Sequence, residues 1–515
     1  MILSVNRTRT RTAKWNILFH GVSIGLGFVS GIVTFPLNVA YIPLDLYGAW
    51  LASGNVIAWA TVFNPGLSDV TQQAVGKAYG AKDTHTVGLS ASAGLVLNTS
   101  FAMFLSVVAF GIVFFLPLLI KMDGLANSDQ LMTACYISSF GIFLNVTGYA
   151  LVAVNQGMQS SLGIGLIYSV SMLTAIIIQI YMLMLGYGVI SIAMGTLVRG
   201  GGMVVGNIIY MLYRFWREQI KFSIHRQVLI QTLKSTSYTS ISRAASAISS
   251  NLDSYIMTKL FNNESAPIFQ ATKAPAGICN AFVTRPIVAI APIISHLAGA
   301  GELQQKRDKI KQIFSLSVWV AGFSAVGIVI LSADFMSVWV GKHLYAGLIT
   351  SVMIALSLIL TAFGNMFGTI SFALGKIKNN SIYSAYQSLA TVALMVLLGY
   401  LAGMPGVAIA PGIAAVISII FNGKMLIQDN IVTKDELIIF LGEFARIGVI
   451  GGILHIAYYY IRPPVHNWGQ FLIVSSATMT ALAILMFVFS LNFRTVITHY
   501  LNMILTRFHL KHVSA

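Results

Sequence analysis

Residues 92–118 read SAGLVLNTSFAMFLSVVAFGIVFFLPL, and these 27 residues contain no charged side chain. A helix rises ~1.5 Å per residue, so such a run is long enough to cross the ~30 Å hydrocarbon core of a bilayer. Outward from it, apolar runs of similar length recur from Trp15 to Phe493, with short polar connections between them. One such run is compatible with a signal sequence or a buried core helix. Fourteen in series read as an all-α, polytopic membrane protein, with spans near 17–37, 48–66, 92–118, 131–155, 163–185, 189–213, 238–260, 268–297, 313–335, 347–374, 385–403, 407–426, 438–461 and 470–493. The first run follows Arg7, Arg9, Arg11 and Lys14. It is too long for a signal peptide and lacks an A-x-A site, so it reads as an uncleaved first span.

Composition agrees. Hydrophobic residues make up 57% of the chain and charged residues 9%, against roughly 25% charged in soluble domains. The net charge of +16 does not form a nucleic-acid footprint, because the basic residues sort by loop. With the N-terminus inside, the inner connections hold the four basic residues above and Lys77, Lys82, Arg214, Arg217, Lys221, Arg226 and Lys234. Lys306, Arg307, Lys309, Lys311, Lys376, Lys378, Lys424, Lys434, Arg494, Arg507 and Lys511 follow on the same side. The outer connections hold Lys121, Lys342 and Arg462. This asymmetry predicts both termini in the cytoplasm. Cys135 and Cys279 both fall in apolar runs and read as free thiols.

The outer connections are short, such as GYG at 186–188 and GMPG at 403–406. They leave no room for an outer-loop catalytic site, and Asp45 in the first of them is a lone carboxylate. No G-x-x-x-x-G-K-[ST] nucleotide loop is present. The basic connection 214–237 separates two six-span halves, giving expected units of 1–213, 214–237 and 238–426, with a two-span tail and basic end at 427–515. The halves echo each other: Gly80-Ala81-Lys82-Asp83 aligns with Gly299-Ala300-Gly301-Glu302 at an offset of 219. Two pseudo-symmetric six-helix lobes with a cleft between them suit alternating access.

Four stretches carry a family resemblance. They are the segment from Pro43 to Asp83, with Tyr47-Gly48-Ala49-Trp50 and Asn64-Pro65-Gly66-Leu67; Asn251-Leu252-Asp253; Pro292 to Glu302; and Phe335-Met336-Ser337-Val338-Trp339-Val340-Gly341. In order and spacing they resemble the multidrug/oligosaccharidyl-lipid/polysaccharide (MOP) exporter superfamily and, within it, the O-antigen flippases (Wzx-type). Asn64 departs from the commoner aspartate of that turn. The resemblance implies a MATE-like fold and an undecaprenyl-pyrophosphate-linked oligosaccharide as substrate. It also implies a Gram-negative inner membrane, with a polysaccharide polymerase and a chain-length regulator as partners beside the membrane lipids.

Charges inside the membrane are unfavourable by at least ~2.5–3.5 kcal/mol each, so each calls for a reason. The candidates are Arg199, Arg243, Asp253, Lys259, Lys273, Arg285, Glu443 and Arg446. Arg199 opens Arg199-Gly200-Gly201-Gly202, which predicts a loosened helix with exposed backbone donors, or else a close helix contact. Arg285 precedes Pro286 in a span that also holds Pro275 and Pro292, which predicts a kinked, arginine-bearing helix. Glu443 and Arg446, three apart, share a helix face and should neutralise each other. Asp253 is placed near the midplane and is the candidate for ion coupling; the alternative for it is a static salt bridge. Arg199, Arg243, Lys273 and Arg285 together predict an anion-binding cavity, since guanidinium groups match phosphate oxygens. His296 and His455 are isolated, so no metal site is expected.

The favoured expectation is a flippase moving a lipid-linked oligosaccharide, without bond chemistry or cofactor, driven by a proton or sodium gradient. The runner-up is a cation-coupled multidrug exporter of the same superfamily, which calls for an acidic cavity. A polytopic polymerase or glycosyltransferase ranks third.

Overall fold

The computed structural model describes residues 25–58, 67–120, 127–234, 252–299, 303–461 and 465–490, with a few isolated positions beside them. Among these there are helices and turns but no strand. A lipid-facing backbone must satisfy its hydrogen bonds within the segment, which helices do.

The helices are α1 (Gly25–Tyr41), α2 (Leu44–Ala58), α3 (Leu67–Gly80), α4 (Thr84–Phe114), α5 (Ser128–Gly157), α6 (Ser161–Met184) and α7 (Val189–Arg217). Then come α8 (Asp253–Leu260), α9 (Ser265–Gly299), α10 (Leu303–Trp339), α11 (Leu348–Ala373), α12 (Ile377–Ala402), α13 (Met404–Gln428), α14 (Lys434–Ile461) and α15 (Trp468–Phe489). Each expected span overlaps one of them, those at 17–37, 48–66 and 238–260 through their described residues 25–37, 48–58 and 252–260, and α3 is the amphipathic helix after the second. Ten are long and apolar enough to cross a membrane: α4 to α7 and α10 to α15. The protein is a multi-pass membrane protein. Helix α9 is 35 residues long.

Two compact units divide the chain, residues 1–267 and 268–515. In the first, α7 packs between α5 and α6, while α3 lies on α4 and α5. Leu67, Thr71, Val75 and Ala78 form the buried stripe of α3 at helical spacing. Its end is tied down by Arg214 of α7, which ion-pairs with Glu218, donates to Tyr79 Oη at 3.0 Å and also bonds Ser160 Oγ. Burial pushes the Tyr79 phenol up, and the Arg214 charge offsets part of that shift.

In the second unit α13 packs on α11 and α12, and α10 packs on α11. The tail helices α14 and α15 pack against α10. Phe314, Phe367 and Phe440 form their shared aromatic core, with ring centroids 5.1 and 5.3 Å apart. Small residues let α14 approach α10 closely: a Cβ on Gly451 would lie 2.5 Å from Val326.

The repeat read from sequence recurs element by element. Helices α4 and α10 start 219 residues apart, α5 and α11 220, α6 and α12 216, and α7 and α13 215. Where the second half has the single helix α9, the first half has α2 and α3.

Candidate functional site

Arg199 lies half-buried in α7. The helix is continuous through residues 199–202, so the loosened segment expected from three glycines does not occur. Gly200 and Gly202 make close contacts instead, while Gly201 has nothing within 4 Å of its Cβ position. A Cβ on Gly200 would sit 2.9 Å from Leu144 of α5, and one on Gly202 would sit 2.6 Å from Ser171 of α6. Gly195, Arg199, Gly202 and Gly206 share one helical stripe. Its glycines press on Gln179, Ser171 and Ile167 of α6. Arg199 makes no ion pair or hydrogen bond among the described residues. It is therefore a cation on a tightly clamped helix.

Asp253 is buried and opens α8, where its Oδ1 accepts the Ser254 amide at 2.9 Å. Helix α8 packs on α2, at the Tyr47-Gly48-Ala49-Trp50 segment that carries the resemblance. Tyr47, Ala49 and Trp50 are buried. Gly48 faces the turn after α8: a Cβ there would lie 1.7 Å from the Asn263 carbonyl oxygen. The glycine is what permits that approach. Lys259 is exposed on the last turn of α8. Arg243, Asn251 and Glu302 lie outside the described residues, as do the side chains of Arg285 and His296.

In the second unit Lys273 lies on α9 with its ammonium 6.0 Å from the Phe269 ring centroid, one turn back. Glu443 and Arg446 form the expected local pair at 2.6 Å, and Glu443 also accepts from Ser490 at 2.8 Å. Asp334 of α10 is buried and accepts the Tyr458 hydroxyl of α14 at 2.5 Å. The count of embedded charge from sequence, six cations against two acids, leaves Asp334 out. It stands one residue inside the end of its apolar run, where acids are usually interfacial, and its partner is 124 residues away. Among the described residues no three His, Cys, Asp or Glu side chains gather to hold a metal.

A cavity of 340 Å3 opens inside the second unit, walled by α9, α11, α12 and α13. Its lining includes Asn365 and Thr369 of α11, Asn380, Ser384 and Gln387 of α12, and Thr284 of α9. None of the lining residues is ionisable. A charge-based search passes over such a site, because neutral amides in apolar runs stand out weakly.

Residues 97–343 match the polysaccharide biosynthesis protein family. Among solved structures the chain is similar to the lipid II flippase MurJ in an inward closed conformation. The TM-score is 0.67 at 15% identity, over 94% of this chain and 99% of that one. It is similar to an inward-facing multidrug resistance MATE family transporter of the MOP superfamily, with TM-score 0.58 and 18% identity over 80% of this chain and 94% of that one. A Vibrio cholerae MATE transporter gives TM-score 0.56 at 17% identity over 82% and 99%. No curated protein matches the chain in sequence. At these identities the structural likeness carries the fold. The chain thus has the helical fold of these transporters, and its residues 97–343 match the polysaccharide biosynthesis family.

Proposed function

We propose that this protein is a flippase that moves an undecaprenyl-pyrophosphate-linked oligosaccharide, an O-antigen or related repeat unit, from the cytoplasmic to the outer leaflet of a bacterial inner membrane. The observation that carries this reading is the family match over residues 97–343 combined with the extent of the fold. The MATE transporters cover 80–82% of the chain, whereas the lipid II flippase covers 94%. The share left over by the drug exporters is about the size of the segment 427–515 that supplies α14 and α15.

Charge supports the same substrate. Arg199, Arg243, Lys273 and Arg285 outnumber the embedded acids, which favours an anionic headgroup over a cationic drug. In this mechanism the pyrophosphate engages these cations, the polyprenyl tail stays in lipid, and the cavity opens alternately to the two sides. No bond is made or broken, and both termini stay in the cytoplasm. A proton or sodium gradient drives the cycle through Asp253. When the pyrophosphate draws the cations away, the carboxylate loses their stabilisation and takes up a cation.

The test is reconstitution in proteoliposomes with nitrobenzoxadiazole-labelled undecaprenyl-pyrophosphate N-acetylglucosamine. Dithionite should quench more label than the outer leaflet alone contains, and an imposed gradient should bias the distribution. Ethidium extrusion without movement of the labelled lipid would assign the protein to the drug exporters instead. Asp253→Asn should keep lipid binding and lose the gradient dependence. A well-folded Asp253→Asn protein with wild-type gradient dependence removes Asp253 from the mechanism.

A further inference from the structure

We propose that the uncharged cavity of the second unit is a carbohydrate subsite that holds one neutral sugar residue of the translocated glycan. The proposal rests on the flippase reading for the source of that sugar and on the cavity itself for its chemistry. A volume of 340 Å3 falls at the small end of the ~300–1,000 Å3 typical of small-molecule sites. Seven of the eleven lining residues carry amide or hydroxyl groups. Such groups both donate and accept, which matches the paired donor and acceptor character of sugar hydroxyls. Phe372 supplies the one aromatic ring of the lining and is 48% exposed, a flat apolar face for the C–H side of a pyranose.

Two details point to a hydroxyl-bearing ligand over other classes. The Asn380 side-chain oxygen is buried and accepts no hydrogen bond among the described residues. A buried acceptor without a donor is unfavourable, so this oxygen calls for an O–H or N–H from a ligand. A phosphate would find no cation here, since none of the lining residues is ionisable. A hydrocarbon chain would leave every amide unsatisfied. The second detail is Gly368, where a Cβ would lie 3.0 Å from the Asn380 oxygen. The glycine permits that close approach, and a side chain there would crowd the oxygen.

The location suits a cytoplasmically loaded substrate. The cavity lies beside the turn from α11 to α12, at the end that the sequence charges assign to the cytoplasm, and its α9 wall residue Thr284 directly precedes Arg285. A sugar here would be the one near the pyrophosphate.

The experiment is saturation-transfer NMR on the full chain in nanodiscs, with glucose, galactose, N-acetylglucosamine, N-acetylgalactosamine and glucuronate as separate probes. At least one neutral sugar should give a saturable signal. Asn380→Leu should weaken its binding about three- to tenfold, as loss of one hydrogen bond implies. Gly368→Ala, which keeps every polar group and crowds the Asn380 oxygen, should weaken it too. Gly54→Ala, in the first unit and with nothing within 4 Å of its Cβ position, should leave it unchanged. Size-exclusion profiles and thermal midpoints establish that each variant is folded, and Ser384→Ala serves as a milder replacement where Asn380→Leu is not. The proposal is overturned if folded protein gives no saturable neutral-sugar signal, if the pocket variants bind as the wild type does, or if glucuronate alone binds in an Arg199-dependent way. Failure of the flippase reading is separate. A protein that binds the sugar through Asn380 and moves no labelled lipid keeps the subsite and loses the flippase.

Discussion

Gly48→Ala adds one methyl group and should be among the most damaging small changes in the first unit. The added carbon would lie 1.7 Å from the Asn263 carbonyl oxygen, 2.5 Å from its carbon and 3.2 Å from Pro267. To reach even 3.0 Å, the closest approach that real side chains show, α2 and the turn after α8 must separate by about 1.3 Å. The obstructing atoms are backbone and cannot swing aside as a flexible side chain would. Overpacking typically destabilises by about 1–3 kcal/mol, and this geometry belongs at the upper end. The helix itself gains up to ~1 kcal/mol from alanine, which offsets part of the loss. Gly54→Ala is the internal control, because it lies on the same helix and has nothing within 4 Å of its Cβ position. Thermal unfolding in detergent should place Gly48→Ala several degrees below wild type and Gly54→Ala at or slightly above it. Since α8 begins with Asp253, Gly48→Ala should also lower glycan export per folded molecule. Equal midpoints for the two variants would refute the reasoning, for they would mean that the α2–α8 contact yields freely.

Three further outcomes are expected. Arg199→Ala should block surface glycan export at unchanged protein abundance, and Arg199→Lys should restore part of it, less if a bidentate fork is needed; full export by an Arg199→Ala, Arg285→Ala double variant counts against the cationic site. Tyr458→Phe removes the hydroxyl that bonds Asp334 at 2.5 Å, and loss of a hydrogen bond to a charged group should destabilise by about 1.5–3 kcal/mol, so an unchanged thermal midpoint argues against that link between α10 and α14. Asp83 caps α4, and bonds from the Thr86 hydroxyl and amide, at 2.6 and 3.0 Å, hold its carboxyl below the usual carboxylate range. A depressed folded-state value stabilises above the ordinary ~3.9 and is lost as pH falls through the folded value. The midpoint gap between wild type and Asp83→Ala should therefore be constant near neutrality and close in acid, and a gap independent of pH sinks the assignment.

The helices were legible because lipid leaves the backbone no alternative. Three-residue spacing marked the Glu443–Arg446 pair. What stayed hidden had the same composition as something else. Gly200 and Gly202 could equally expose a backbone or admit a neighbour, and what they admit, Leu144 and Ser171, sits on other helices. Asp334 resembled an interfacial acid until Tyr458 arrived from far along the chain. The cavity amides come from two helices, Asn365 from α11 and Asn380 and Gln387 from α12, and each alone is an ordinary neutral residue.

The internal repeat gives the cavity a comparison within the same chain. Helices α11 and α12 correspond to α5 and α6 at offsets of 220 and 216 set by their starts. Asn365 then falls on Asn145, whose amide donates to the carbonyl oxygens of Gly141 at 2.8 Å and Thr196 at 3.4 Å. Gln387 falls on Ser171, which is pressed against Gly202 of α7. Asn380 falls on Ile164, an apolar residue. In the first half the Asn145 and Ser171 positions are taken up by contact with α7. In the second half they carry amides that line open space, and one of them retains an unpartnered acceptor. Two copies of one architecture thus differ at this place in polarity and in packing together. A void left merely by loose packing would be lined like its surroundings, with apolar groups, since burying unsatisfied amides is unfavourable in a membrane helix. The pairing of open space with polar lining is what a ligand site demands, and it belongs to the second half of the chain.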